Sequence, residues 1–352
     1  MDIKENKWKV LGLVSIIIVI LIGTFVFVQI APYNRNNKQD RVIEIPKGAN
    51  INTISDVLYE NQLIKNKTLF KLVAKVSNKT PQFKAGKYLL NQSYSNNDIV
   101  NLLASGKIYH DGIKITIPEG STSKEIVSIL VEKKLGTKDI YEELINNPKE
   151  FYVEFSFLNQ DDITSLEGFL YPETYYFDEK YSEKEVLTKM LAMFDNIYND
   201  DFKKKQKEMN MTLSEVVNLA SIVEKEAVLD EDRSIIASVF YNRLDIDMPL
   251  QSDATIQYIF EERKKIVTYN DLKIDSPYNS YKNKGLPPTP ISNPGVRSIE
   301  GVLYPDETKY LYFVAKMDGG NNYSETYEQH LKYEAEYKAE RDKMNQNKNE
   351  KQ

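Results

Sequence analysis

Two carboxylates one residue apart, in Glu224-Lys225-Glu226, close the apolar run Leu219-Ala220-Ser221-Ile222-Val223. A carboxyl held among apolar neighbours keeps its proton at neutral pH, and can then act as the general acid that glycosidic cleavage requires. Thr212 and Glu215 form a capping-box pattern that starts a helix just upstream. On that helix Leu213, Val216, Ala220, Val223 and Ala227 share one apolar face, and Lys225 points away into solvent. Glu226 lies on the row of Leu219, Ile222 and Val223; Glu224 lies beside Val217 and Ala220. Periodicity alone does not choose between them, although the row of Glu226 is the more apolar. The plain alternative is a solvated helix end.

Composition narrows the other chemistries. The chain has 352 residues, enough for two domains with their own cores, and a net charge of −6, which argues against nucleic acid. It has no cysteine, so disulfides and thiol catalysis are excluded. His110 and His330 are its two histidines, a poor basis for a zinc site or a Ser-His-Asp triad. No metal or organic cofactor is expected.

The elements that must position the acid begin at a membrane. Val10 to Val28 is uncharged and rich in Ile, Val and Leu, and the uncharged run continues to Asn34. A bilayer core needs about 20 such residues. No Ala-x-Ala cleavage signal follows, which favours a retained anchor over a signal peptide. Lys4, Lys7 and Lys9 precede the span, with Trp8 at the interface, and Arg35, Lys38 and Arg41 follow it, so charge bias alone is indecisive. A short tail before a single span favours the bulk of the chain lying outside the cytoplasm.

Beyond an Asn-rich linker the sequence repeats. Ile43-Glu44-Ile45-Pro46-Lys47-Gly48 matches Ile115-Thr116-Ile117-Pro118-Glu119-Gly120, with Ile54, Leu58 and Leu63 opposite Ile126, Leu130 and Leu135. Each copy reads as a strand, a Pro-x-Gly turn and an amphipathic helix. The repeat is either a recurring packing unit or a small glycan-binding module. Further helices are expected near 137–148, 183–196, 212–226, 232–244 and 323–340, and strands at Phe83–Leu90 and Tyr310–Ala315.

Five ordered segments carry a resemblance. They are Glu167-Gly168-Phe169-Leu170-Tyr171-Pro172-Glu173-Thr174-Tyr175, the Leu219–Glu226 run, Asn242-Arg243-Leu244 with Met248–Thr255, Ser276-Pro277-Tyr278-Asn279-Ser280-Tyr281, and Gly285–Ile291. From about residue 43 to His330 the chain resembles the MltG (YceG-like) family of endolytic murein transglycosylases. The resemblance implies that Glu226, the second Glu of Glu-Lys-Glu, is the catalytic acid and that the first domain is LysM-like. The substrate it implies is the β-1,4 bond between N-acetylmuramic acid and N-acetylglucosamine of peptidoglycan, cleaved to leave 1,6-anhydro ends. Where the family often carries Gly-x-His-x-Phe, this chain reads Gly320-Asn321-Asn322-Tyr323, so no histidine role is carried over there.

The expected architecture is therefore α+β: a cytoplasmic tail (1–9), a transmembrane helix (10–31), a linker (32–41), a LysM-like βα module (42–110), a larger mixed α+β catalytic domain (111–340) and a disordered tail (341–352). Gln251, Asp253, Tyr278 and Asn279 are candidates to bind acetamido and hydroxyl groups or to orient Glu226. Arg243 is a candidate partner for a substrate carboxylate, or a brace for Glu224 or Asp253. Tyr171, Tyr175 and Tyr281 are candidate sugar platforms, and Glu173 is the candidate second carboxylate, with a structural role favoured. Two other classes compete: a muramidase that pairs Glu226 with Asp253 or Glu173, and a non-catalytic wall-binding scaffold. The expected partners are glycan strands near a membrane crossed once and, by family analogy, peptidoglycan synthases and division or elongation proteins.

Overall fold

The structure, a computed structural model, describes residues 3–349. The chain divides into two compact units, Met1–Asp111 and Gly112–Gln352, each with its own buried apolar cluster. The sheets of the described residues are three antiparallel pairs, so the class is mixed helix and strand.

The first unit opens with helix α1 (Ile3–Ile30). Its segment Leu11–Ile30 is long and apolar enough to cross a membrane, with Leu13, Ile17 and Phe25 exposed. Most of the stretch read as a tail is helical, because nothing between Ile3 and Lys9 breaks a helix; residues 1 and 2 lie outside the described residues. Strand β1 (Arg41–Ile45) then leads through Pro46-Lys47-Gly48 into α2 (Ile51–Glu60), followed by α3 (Lys67–Val76), β2 (Gly86–Leu90) and α4 (Asn96–Ser105). β1 and β2 pair antiparallel, with Ile43 opposite Tyr88. Alternation turns Ile43 and Ile45 inward and Val42 and Glu44 outward, onto a core that includes Leu58, Phe70 and Leu103.

The second unit opens with the same succession: β3 (Ile113–Thr116), Pro118-Glu119-Gly120, α5 (Ser123–Glu132), α6 (Lys138–Ile145) and β4 (Thr174–Phe177). β3 and β4 again pair antiparallel. The two copies agree in backbone detail. Gly48 and Gly120 are left-handed, at φ +77° and +72°, where a side chain would be strained. Ala49 N–H and Ser121 N–H donate back to the carbonyls of Pro46 and Pro118. After the first helix of each copy, Gln62 and Lys134 adopt φ 58° and 60°, and Leu63 and Leu135 donate to Leu58 and Leu130.

The rest of this unit is largely helical: α7 (Glu183–Ile197), α8 (Asp200–Glu208), α9 (Leu213–Glu226), α10 (Arg233–Asp245), α11 (Asp253–Ile259) and α12 (Val296–Leu303). The hairpin of β5 (Tyr312–Ala315) and β6 (Asn321–Ser324) precedes α13 (Tyr327–Asn349). α9 packs on α10 and α12, and all its residues from Leu213 to Val223 except Glu215 are buried. α13 takes in most of the stretch expected to be a disordered tail. α13 propagates through good helix formers after the Glu334–Lys338 pair has stiffened the turn before them. Residues 350–352 lie outside the described residues.

Candidate active site

α9 starts on the capping box formed by Thr212 and Glu215, as their spacing requires. It is not a one-sided amphipathic helix. Because it is buried nearly all round, both glutamate rows run through the interior, and neighbours from distant segments decide what each carboxylate does.

Glu224 is a structural anchor. Its Oε1 pairs with Arg233 Nη1 at 3.2 Å, and its Oε2 accepts from Gly295 N–H and Ser298 Oγ, both at 2.9 Å. Gly295 caps α12, so the carboxylate also sits where a helix N-terminus favours negative charge. Arg233 is held in addition by Asp230 at 3.0 Å. The middle residue, Lys225, is not in solvent as its helical phase suggested. It is partly buried, and its Nζ donates to Gly120 O at 3.0 Å, because the turn of the second repeat folds back over the helix end.

Glu226, the last residue of α9, forms part of a cleft of about 1060 Å³. The other walls come from the turn Pro118–Thr122, the α5 stripe Lys124, Glu125, Ser128 and Ile129, the α11 residues Asp253, Ala254, Gln257 and Tyr258, and the segment from Phe260 to Val267. Ser252 Oγ donates to Glu226 Oε1, and the Ala254 N–H also reaches the carboxyl. Burial pushes the Glu226 carboxyl above the usual range; the Ser252 bond opposes this, and the charge of Asp253 adds to it. A protonated carboxyl at the edge of a large cleft is equipped to give a proton to a bound leaving group.

The other candidates separate. Asp253 lines the cleft and accepts from Tyr281 Oη at 2.7 Å. Gln251 is exposed, outside the cleft lining, in a left-handed turn at φ 52° whose N–H donates to Ser280 O. Asn279 is fully buried; its Nδ2 donates to the carbonyls of Leu272 and Ile274, so it holds a loop together outside the cleft lining. Tyr278 bonds Thr289 and packs against Tyr258, with ring centroids 5.0 Å apart. Arg243 is buried, donates to the carbonyls of Leu250 and Leu311 and covers the Tyr312 ring; it braces neither Glu224 nor Asp253. Its charge still favours the ionised form of Glu226. Glu173 is exposed outside the cleft lining and accepts the N–H of Thr174. Tyr171 and Tyr175 are core residues, with Tyr175 Oη bonded to Tyr171 O and its ring stacked on Phe177. In the segment where no histidine role was carried over, Asn321 and Tyr323 both donate to Asp232.

Sequence reasoning passed over a buried network behind the cleft. The carboxyl of Glu167 accepts from Ser123 N–H at the start of α5, from Asn293 Nδ2 at 2.9 Å and from Tyr258 Oη at 3.1 Å. Burial pushes it up to about 7, against the pull of those donors. Asn293 also accepts from Gly168 and Leu170 N–H and donates to Ser121 O. The available signal for Glu167 was a lone carboxylate inside the apolar run Leu166–Leu170. For Asn293 and Ser252 there was no local signal. Glu119, also missed, lines the cleft, and burial followed by the Glu224 charge raises its carboxyl.

Comparison with known proteins gives the family of the chain. The model of the YceG-like family matches residues 43–336. An endolytic murein transglycosylase of Bacillus subtilis is 36% identical over 315 residues, covering 87% of each chain. One from Streptococcus pneumoniae is 32% identical over 328 residues; the match takes in 85% of this chain and 58% of that longer protein. A crystal structure of a YceG-like protein from Listeria monocytogenes, 37% identical, aligns with a TM-score of 0.56 over 84% of this chain and 99% of that one.

Proposed function

The chain belongs to the YceG-like family, and we propose that it is a lytic transglycosylase of peptidoglycan in which Glu226 is the catalytic acid and base. The observation that carries this reading is the Glu226 carboxyl, raised by burial, at the wall of a cleft of about 1060 Å³. The relatives' naming as endolytic murein transglycosylases supplies the substrate class.

In the proposed reaction protonated Glu226 gives its proton to the oxygen bridging N-acetylmuramic acid and N-acetylglucosamine as the C1–O bond breaks. The resulting carboxylate takes the proton of the muramoyl C6 hydroxyl, whose oxygen closes on C1. The products are a 1,6-anhydro end and a free 4-hydroxyl, and Glu226 is reprotonated. No water enters. Because the nucleophile belongs to the substrate, one carboxylate serves both steps. Ser252, Ala254 and Arg243 stabilise the ionised intermediate form of Glu226, and burial favours the protonated resting form.

The Leu11–Ile30 helix is proposed as a single membrane anchor, with the catalytic unit outside the cytoplasm. The first unit, built as strand, two helices and strand, is proposed as a LysM-like module. Anchoring would confine cutting to glycan near the membrane, so that nascent strands are the targets and cleavage ends their elongation beside the synthases that make them.

Digestion of uncrosslinked glycan with product masses tests the chemistry. Anhydro ends lack the water that reducing ends carry, and Glu226→Gln abolishes release. A muramidase reading has one observation in its favour, Asp253 in the same cleft; reducing ends among the products would establish it instead. No release by either the wild-type protein or Glu226→Gln would favour the scaffold reading, and undiminished release by Glu226→Gln would overturn Glu226 as the acid.

A further inference from the structure

The cleft contains a copy of a structure that the chain also builds separately. β3-α5-α6-β4 repeats β1-α2-α3-β2, and Ile115 follows Ile43 as Gly120 follows Gly48 and Leu135 follows Leu63. The stripe of α5 that lines the cleft, Lys124, Ser128 and Ile129, corresponds by this register to Asn52, Asp56 and Val57 of α2.

The two stripes are used differently. In the first copy residues of α3 bond across to it: Lys71 Nζ donates to Asn52 Oδ1 at 3.1 Å and Lys67 pairs with Asp56 at 2.8 Å. In the second copy the residues corresponding to Lys71 and Lys67 are Glu143 and Asp139, and neither pairs across to α5 among the described residues. Among the described residues Lys124 Nζ has no hydrogen-bond or ion-pair partner, and Ser128 Oγ bonds only back to its own helix at Lys124 O. The stripe is therefore left open to the cleft.

Its position relative to the acid is fixed. Lys225 holds Gly120 O, Gly120 N–H donates to Asn293 O, and Glu167 accepts the Ser123 N–H. The same cleft is also lined by Tyr258 and Phe260. Aromatic rings in one cleft with a stripe of ammonium, hydroxyl and aliphatic groups suit a pyranose, which offers apolar faces and a rim of hydroxyl and acetamido groups.

We propose that the second copy is a glycan subsite, in which the α5 stripe binds N-acetylhexosamine residues of the strand next to the bond that Glu226 cleaves. This rests on the reading of the cleft as the site of glycan cleavage. The first copy, its stripe residues already paired to α3, does not contribute to choosing the cut.

The test uses the full chain in detergent micelles and uncrosslinked glycan strands lacking stem peptides. On a Glu226→Gln background, Ser128→Arg should weaken strand binding about tenfold. In the otherwise wild-type enzyme it should raise KM more than it lowers kcat and shift the product-length ladder. Asp56→Arg in the first copy should leave both the affinity and the ladder unchanged. Lys124→Glu, at an exposed helix position, repeats the test should Ser128→Arg fold poorly. An unchanged ladder and unchanged affinity in folded Ser128→Arg or Lys124→Glu, with Glu226→Gln inert, overturns the subsite alone. Cleavage by Glu226→Gln would instead overturn the reading of the cleft.

Discussion

Ser252 donates its hydroxyl proton to Glu226, joining the last residue of α9 to the residue that caps α11. The acid is thus held by an element that also carries Asp253, whose charge acts on it in the opposite sense. One short segment both orients the carboxyl and sets how firmly it keeps its proton.

That opposition gives the first prediction. A protonated acid loses activity as pH rises through its pKa. Ser252→Ala removes a donor that favours the carboxylate, so the alkaline limb of the kcat/KM profile should move to higher pH. Asp253→Asn removes a negative charge, and the limb should move to lower pH. Each displacement should be about one unit or less. Limbs that move together, or that stay where they are in both variants, contradict Glu226 as the titrating acid.

The two glutamates of Glu-Lys-Glu should separate by what their loss affects. Glu224→Gln should be costly to the fold, because it disturbs the Arg233, Gly295 and Ser298 contacts. Unfolding should become easier by roughly 2–3 kcal/mol, toward the lower end for a broken buried pair because Asp230 still holds Arg233. Activity per folded molecule should stay within a few-fold. Glu226→Gln should do the reverse, with stability kept and turnover down about 10²–10⁴-fold. Thermal unfolding beside initial rates distinguishes the two.

Glu167 should make stability depend on pH. Its carboxyl is pushed from the usual 4.5 up to about 7, so the native state holds a proton that the unfolded chain releases in between. The stabilisation is fully present below about 4.5 and is lost as pH rises through about 7, an effect on the order of 3 kcal/mol. Glu167→Gln mimics the protonated form and should flatten the fall of Tm across that window. A slope as steep as in the parent protein would mean that other groups carry it.

The two repeats should answer the same substitution differently. Gly48→Ala places a side chain in a left-handed turn with open space around it, which should cost about 1–2 kcal/mol. Gly120→Ala adds contacts at 3.3 Å to Glu224 and 3.4 Å to Lys225. It should cost more and slow cleavage as well, since the displaced residues flank and precede the acid. Equal losses of stability with full activity in both would argue that the Gly120 turn does not help to set the site.

The residue pattern by itself determined what depends on near neighbours. The capping boxes at Thr122 and Thr212, the Pro-x-Gly turns and the inward alternation of Ile43 and Ile45 all follow from groups a few positions apart. The repeat was legible for the same reason, since each copy encodes its own strand, turn and helix. What α9 presents to the cleft was not. With the helix buried nearly all round, both glutamates looked alike until Ser252 and the α11 N–H reached one and Arg233, Gly295 and Ser298 reached the other. Asn279 and Arg243, polar residues in the same motifs, were drawn instead into holding loop carbonyls. Burying a polar group demands a partner, and when the partners lie dozens of residues away only the folded chain selects them.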